Sequence, residues 1–222
     1  MVKLLVQTIS KFILGLLLVG VLLFLPAGTL EFWNAWLFIG LLFIPMLFIA
    51  IILFVKNPKL LEKRIKGKET EKEQKLVILL SLIVFVAGFL ISGFDFRYGW
   101  SNLPNIVVII GSIILVISYI LYAEVMRENT YLSRSIEIQE NQKVIDSGLY
   151  GIVRHPMYMA TTFLFLSFPI VLGSLYGFII FLTYPFILAK RIKNEEKVLE
   201  DGLDGYKEYK QKIKYKMIPF IW

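Results

Sequence analysis

Residues 155–189 read HPMYMATTFLFLSFPIVLGSLYGFIIFLTYPFILA, a run without Asp, Glu, Lys or Arg. As one helix it would measure roughly 52 Å, too long for a single crossing. Two full crossings of a ~30 Å hydrocarbon core need about 40 residues. Pro169, Gly173, Ser174 and Gly177 fall in its middle, where a turn is wanted. The run therefore reads as a helical hairpin with limbs near 156–171 and 174–190, each about 24 Å long and short for the core.

Four more stretches lack these charged residues: 12–30, 32–55, 76–94 and 98–123. Each is long enough for one transmembrane helix. The chain is 57% hydrophobic, with a mean hydropathy of +0.71, which places it among membrane proteins. Lys3 and Lys11 precede the first apolar run as in a signal sequence, but no small-x-small cleavage site follows, so it reads as a retained span. The fold class is thus an all-α integral membrane protein: four transmembrane helices plus a C-terminal short helical hairpin, six crossings or limbs in all. It divides into a four-helix portion, 1–126, and a core, 127–222.

Arg97 alone of the 24 Lys and Arg lies in a loop that would be outside if both ends of the chain are cytoplasmic. The positive-inside rule favours that orientation, which requires an even number of crossings. The 56–75 loop reads as a connector with a short surface helix after Pro58. The aromatic loops Glu31–Trp36 and Asp95–Trp100 read as interfacial anchors. Ile136–Ile138 alternates like a short strand, and Gln139–Gln142 reads as a turn. The tyrosine- and lysine-rich end, from Tyr206 to Trp222, reads as a tail lying against the membrane.

There is no cysteine and one histidine, His155. That excludes disulfides, a thiolate nucleophile and a Cys/His metal centre. The net charge of +7 suits anionic lipid; no basic–aromatic pattern points to nucleic acid. His155 is followed by Pro156, which suits the first turn of a helix. Arg154, His155 and Tyr158 therefore cluster at a helix N-terminus, a place for an anionic group. Gly148 can take a positive φ and turn the chain into this motif. Arg191 and Glu195 share one helical face at i and i+4, while Glu196 points about 100° away; by themselves they read as an exposed helix with one weak salt bridge.

The pattern Val144-Ile-Asp-Ser-Gly148-x-Tyr150-x-x-x-Arg154-His155-Pro156-x-Tyr158, an apolar hairpin, Arg191-x-x-x-Glu195-Glu196-x-x-Leu199, Gly205-Tyr206-x-x-Tyr209 and Ile218-Pro219 resembles the isoprenylcysteine carboxyl methyltransferase family, in its bacterial and archaeal-type members. The resemblance covers roughly 120–222. It implies methyl transfer from S-adenosylmethionine, giving S-adenosylhomocysteine, to a lipophilic or prenylated acceptor entering from the bilayer of a prokaryotic cell membrane. It implies a cytosolic cofactor pocket between the loop before the hairpin and the C-terminal helix. Its cofactor segments fall on Gln139, Gln142, Lys143, Val144, Ile145, Tyr150, Arg154, His155, Pro156, Met157, Tyr158 and Glu195. Arg191 falls at the position of the acceptor carboxylate, and Arg191 and Glu195 are the catalytic candidates. Arg154 or His155 would meet the cofactor carboxylate. The chain departs from the pattern at Ala160, where the family has Gly, and at Gln142, where it has His. An NADPH-dependent reductase resembling sterol reductases is the rival reading, since those chains share an Arg-His-Pro-x-Tyr-like element. A channel or transporter is disfavoured, because spans 1 to 3 carry no ionisable residue in their apolar runs.

Overall fold

The computed structural model of the chain describes residues 2–66, 72–132 and 138–222. Among these residues there is no strand. The helices run in order α1 (Val2–Ala27), α2 (Trp33–Lys56), α3 (Pro58–Lys66), α4 (Lys72–Tyr98), α5 (Asn105–Glu128), a 3₁₀ turn (Gly148–Gly151), α6 (Pro156–Val171), α7 (Leu175–Phe181), α8 (Tyr184–Gly202) and α9 (Tyr206–Lys212). Five helical segments are long and apolar enough to cross a membrane: α1, α2, the apolar part of α4, α5, and α7 with α8; α6 is a shorter apolar helix. The outward faces of α1, α2 and α5 are crowded with exposed Leu, Ile and Val, the surface expected of helices solvated by lipid. The protein is an integral membrane protein.

Helix boundaries follow local chemistry. Asn57 ends α2 with its amide on Leu53 O (2.8 Å), and its side-chain oxygen accepts the Leu60 N–H (3.1 Å) at the start of α3. Pro58 then opens the short helix expected there. The first hairpin limb falls on α6, Pro156–Val171. The second limb is not the single helix expected over 174–190. Pro185 has no N–H to return to the Phe181 carbonyl, so the chain tightens at Leu182 and Thr183, where the Thr183 amide bonds Ile180 O (3.1 Å), and restarts as α8. The expected strand falls mostly on 133–137, outside the described residues, and Ile138 is not in a strand. The turn at Gln139–Gln142 is present, closed by the Gln142 amide on Gln139 O (3.0 Å).

The core lies where the hairpin meets α2 and α4. Phe38, Phe85, Phe89, Phe165, Phe168, Phe181 and Tyr184 interlock, with ring centroids as close as 4.7 Å for Phe85–Phe165 and 4.8 Å for Phe38–Phe168 in the edge-on geometry aromatic pairs favour. α5 lies along α6 so closely that a Cβ at Gly111 would sit 2.6 Å from Ile170.

The turn of the hairpin is fixed at one pole. Asp95, 1% exposed, accepts from Ser101 N (2.7 Å), Ser101 Oγ (2.6 Å) and Ser174 Oγ (2.5 Å). Asn34 Nδ2 donates to Val171 O (2.9 Å). Trp33, Trp36, Tyr98 and Trp100 are exposed around this pole, as interfacial anchors would be, but Asp95 is buried within it. The opposite pole, where α5 ends and α6 begins, carries the candidate functional residues.

Candidate functional site

Gly148 builds the approach to this site. Its φ is +55°, and a Cβ there would fall 1.6 Å from Glu128 Oε1. No other residue fits both the conformation and the space. The Glu128 carboxylate accepts the Leu149 N–H at 3.0 Å, tying the end of α5 to the 3₁₀ turn. The turn places Tyr150, whose hydroxyl accepts from Asn129 Nδ2 (2.9 Å) and whose carbonyl accepts from Tyr209 Oη (2.7 Å). Burial pushes the Tyr150 phenol up, only partly offset by the Asn129 hydrogen bond, so it remains neutral.

Residues 154 and 155 then run beside the C-terminal segment. Arg154 N bonds Tyr215 O (2.9 Å) and His155 N bonds Lys216 O (2.8 Å). The Arg154 side chain, buried, donates to Glu196 Oε1 (2.7 Å), Ile213 O (2.6 Å) and Lys214 O (2.9 Å). His155 Nε2 lies 3.3 Å from the same carboxylate oxygen, and Lys216 Nζ lies 2.9 Å from the other. Glu196, only 3% exposed, is therefore the hub joining α8, the start of α6 and the C-terminal segment. This corrects the expectation of an exposed α8: the residue pointing away from Arg191 and Glu195 points into protein, because the C-terminal segment folds back over it.

On the neighbouring face of α8, the Tyr158 hydroxyl accepts from Arg191 Nε (2.8 Å) and donates to Glu195 Oε2. The three side chains form a chain of hydrogen bonds from the Arg191 guanidinium through the Tyr158 phenol to the Glu195 carboxyl group. They border a cavity of about 110 Å³, also lined by Gln142, Lys143, Val144, Ile145, Tyr150, Arg154, His155 and Met157. Of the candidates read from the sequence, only Gln139 and Pro156 do not line it. Gln139 braces the loop instead: its side chain donates to Tyr131 O, and its amide donates to Gln142 Oε1 (2.9 Å). Pro156 is buried as the first residue of α6.

The cavity has walls the sequence reading did not assign: Asn129, Tyr131, Leu132, Leu199, Leu203, Tyr206 and Tyr209. The row 191, 195, 199 at four-residue spacing could have found Leu199. The tyrosines are not part of a tail lying on the membrane. Tyr206 and Tyr209 are buried against Leu203 and Ile213, with Val144 and Leu199 alongside. Phe220 and Ile221 do remain exposed.

A second, mostly apolar cavity of about 300 Å³ runs between α2, α3, α5 and α6, lined by Leu42, Met46, Ile49, Leu53, Leu61, Tyr119, Tyr122, Met126, Thr161, Leu164 and Phe165. Thr161 and Phe165 sit one and two turns along α6 from Met157 and Tyr158, on the same face at 100° per residue. Met126 on α5 likewise lies one turn before Asn129, which caps that helix. The apolar groove and the polar cavity are thus neighbours along two shared helices.

Chemically, the polar cavity offers aliphatic walls, phenol rings, a carboxylate and guanidinium groups. These could hold a planar base, hydroxyls and a zwitterionic end at once. The Tyr206 hydroxyl is buried without a hydrogen-bond partner among the described residues, as befits a site that receives a polar ligand. No group of His, Asp or Glu able to hold a metal occurs among those residues.

Residues 105–203 match the model of the phospholipid methyltransferase family. Over that segment the chain is similar to the membrane methyltransferases of this family. The matched segment runs from the start of α5 through the end of α8 and so contains both the Gly148–Tyr158 stretch and the Arg191–Glu196 stretch. It favours methyl transfer over the reductase reading. Comparison with curated proteins gave no match.

Proposed function

We propose that the protein transfers a methyl group from S-adenosylmethionine to a lipophilic acceptor at the cytoplasmic face of the membrane. The observation that carries this reading is the Arg191–Tyr158–Glu195 chain on the wall of a polar cavity, adjoining an apolar groove. The charge distribution supports an orientation with the cavity pole cytoplasmic. In that orientation the hairpin supplies two short crossings, residues 1–126 supply the membrane frame, and 127–222 form the catalytic core.

The cofactor, when bound, supplies an electrophilic methyl group on a sulfonium. In this reading Gln142, Lys143, Val144, Ile145, Tyr150, His155, Met157 and Tyr158 enclose it, and Glu195 offers a carboxylate to its amino group or ribose hydroxyls. Arg154 is largely committed to Glu196 and two carbonyls, so its first task is to hold that wall in place. Arg191 receives the anionic end of the acceptor, with the apolar part in the groove between α2, α5 and α6. A carboxylate or thiolate acceptor attacks the methyl carbon directly and needs no general base. Catalysis then consists of holding two reactants in line and excluding water.

The family's description points to a second acceptor class, a phospholipid. If the acceptor is a head-group ammonium, it must lose a proton before it can attack, and Glu195, hydrogen-bonded to Tyr158 on the cavity wall, is a carboxylate that would take it.

The test is binding of S-adenosylhomocysteine to the purified protein, followed by transfer of labelled methyl to prenylated thiols, lipophilic acids and phospholipids. Wild type should bind saturably. Glu195→Gln should lower affinity at least tenfold without lowering the melting temperature. Binding of NADPH in place of S-adenosylhomocysteine would overturn the reading.

A further inference from the structure

The most informative unsatisfied group in the molecule is the Tyr206 hydroxyl. Tyr206 opens α9 directly after Gly205, whose φ of +83° turns the chain sharply from the end of α8. The ring packs among Leu203, Tyr209 and Ile213, with Val144 and Leu199 alongside. The residue is 4% exposed and lines the polar cavity. Its hydroxyl has no hydrogen-bond partner among the described residues. A buried hydroxyl without a partner is destabilising. Phe would fill the same apolar packing without that penalty, so the ring alone does not account for Tyr here.

The surroundings of the hydroxyl indicate what it meets. Burial, then the negative charges of Glu196 and Glu195, raise its pKa, against a smaller opposing effect of Arg154. It therefore stays protonated and able to donate. Tyr206 shares the cavity lining with the aliphatic Leu199, Leu203 and Val144 and with the charged Arg154 and Glu195. An aliphatic wall suits the base of a nucleoside, and a charged wall suits a zwitterion. Arg154, Arg191 and Lys216 outnumber Glu195 and Glu196 by one formal charge, which leaves the charged end receptive to a carboxylate.

We infer that Tyr206 is a cofactor-binding residue whose hydroxyl donates a hydrogen bond to the carboxylate of the cofactor's amino-acid end. The inference rests on the reading that the cavity holds S-adenosylmethionine. It gives α9 a direct part in binding, and it extends the site beyond the matched segment, which ends at residue 203.

The test compares wild type and Tyr206→Phe, both purified in detergent, by calorimetric titration with two ligands. S-adenosylhomocysteine carries the amino-acid end; 5′-methylthioadenosine keeps the nucleoside and the thioether but lacks that end. Tyr206→Phe should weaken S-adenosylhomocysteine by about tenfold or more, the effect of losing a hydrogen bond to a charged group. It should leave 5′-methylthioadenosine unchanged. Unchanged affinity for S-adenosylhomocysteine overturns the inference. Equal weakening of both ligands overturns it too, placing the hydroxyl on the nucleoside. The ligand-free variant should melt no lower than wild type; a lower melting temperature would mean that the hydroxyl has a partner within the protein, against the inference. Absence of S-adenosylhomocysteine binding by wild type would instead defeat the cofactor reading itself.

Discussion

The two poles of the molecule each bury a carboxylate, and the two are satisfied in opposite ways. Asp95 is surrounded by neutral donors: two serine hydroxyls and one backbone amide. It closes the hairpin turn onto α4 and the loop before α5. Glu196 is surrounded by Arg154, His155 and Lys216, drawn from the start of α6 and from the C-terminal segment. A neutral cage is self-contained and has no charge left to offer a ligand. A cage that includes a guanidinium and an ammonium at the edge of a cavity fixes the wall and gives the site its electrostatic character. Burying a carboxylate thus serves architecture at one pole and the site at the other.

This contrast can be broken or sharpened by substitution. The largest effect is expected for Glu196→Ala, which leaves Arg154 and Lys216 facing each other without the anion between them. Breaking a buried pair in this way costs about 3–5 kcal/mol, measurable as a large drop in melting temperature in detergent, with loss of S-adenosylhomocysteine binding. A smaller effect is expected for Asp95→Ala. It strands the Ser101 and Ser174 donors and should cost about 2–3 kcal/mol, but binding measured well below the melting temperature should be unchanged. Lost binding in the Asp95 variant would show that the poles are coupled. The smallest effect is expected for Asp146→Asn. Asp146 is exposed and accepts from Lys212 Nζ at 2.9 Å, and that hydrogen bond holds its pKa below the usual carboxylate value. A lowered folded pKa stabilises the protein above the unfolded pKa of about 4, and the effect is lost as pH falls through the folded value. Wild type and variant should therefore melt alike near the bottom of that range. At neutral pH they should differ only slightly, because surface pairs contribute little.

Much of the frame was legible because lipid imposes a simple rule: apolar runs of sufficient length become helices, and charges are confined to loops. That rule located α1, α2, α4, α5 and α6. It failed at Leu182–Thr183, where a proline already visible at 185 interrupts a run that is uniformly apolar. It also misread Asp95 as part of an aromatic surface loop, since nothing nearby in sequence announces that Ser174, 79 positions later, reaches it. At the other pole, spacing placed Arg191 and Glu195 on one face, and the Gly148–Tyr158 stretch supplied the opposing wall. Glu196 and Tyr206 were misjudged for one reason: both depend on the segment after residue 202 folding back over α8.

By itself the sequence determined an all-helical membrane chain, with a compact motif around His155. These follow from periodicity, run length and the chemistry of single residues, all local quantities. Only the tertiary structure decided which carboxylate is the hub, that Tyr158 links Arg191 to Glu195, and that an apolar groove adjoins the cavity. Each of these depends on where distant segments meet. A helix face records which way a side chain points, but only packing decides whether it finds lipid, water or a partner there.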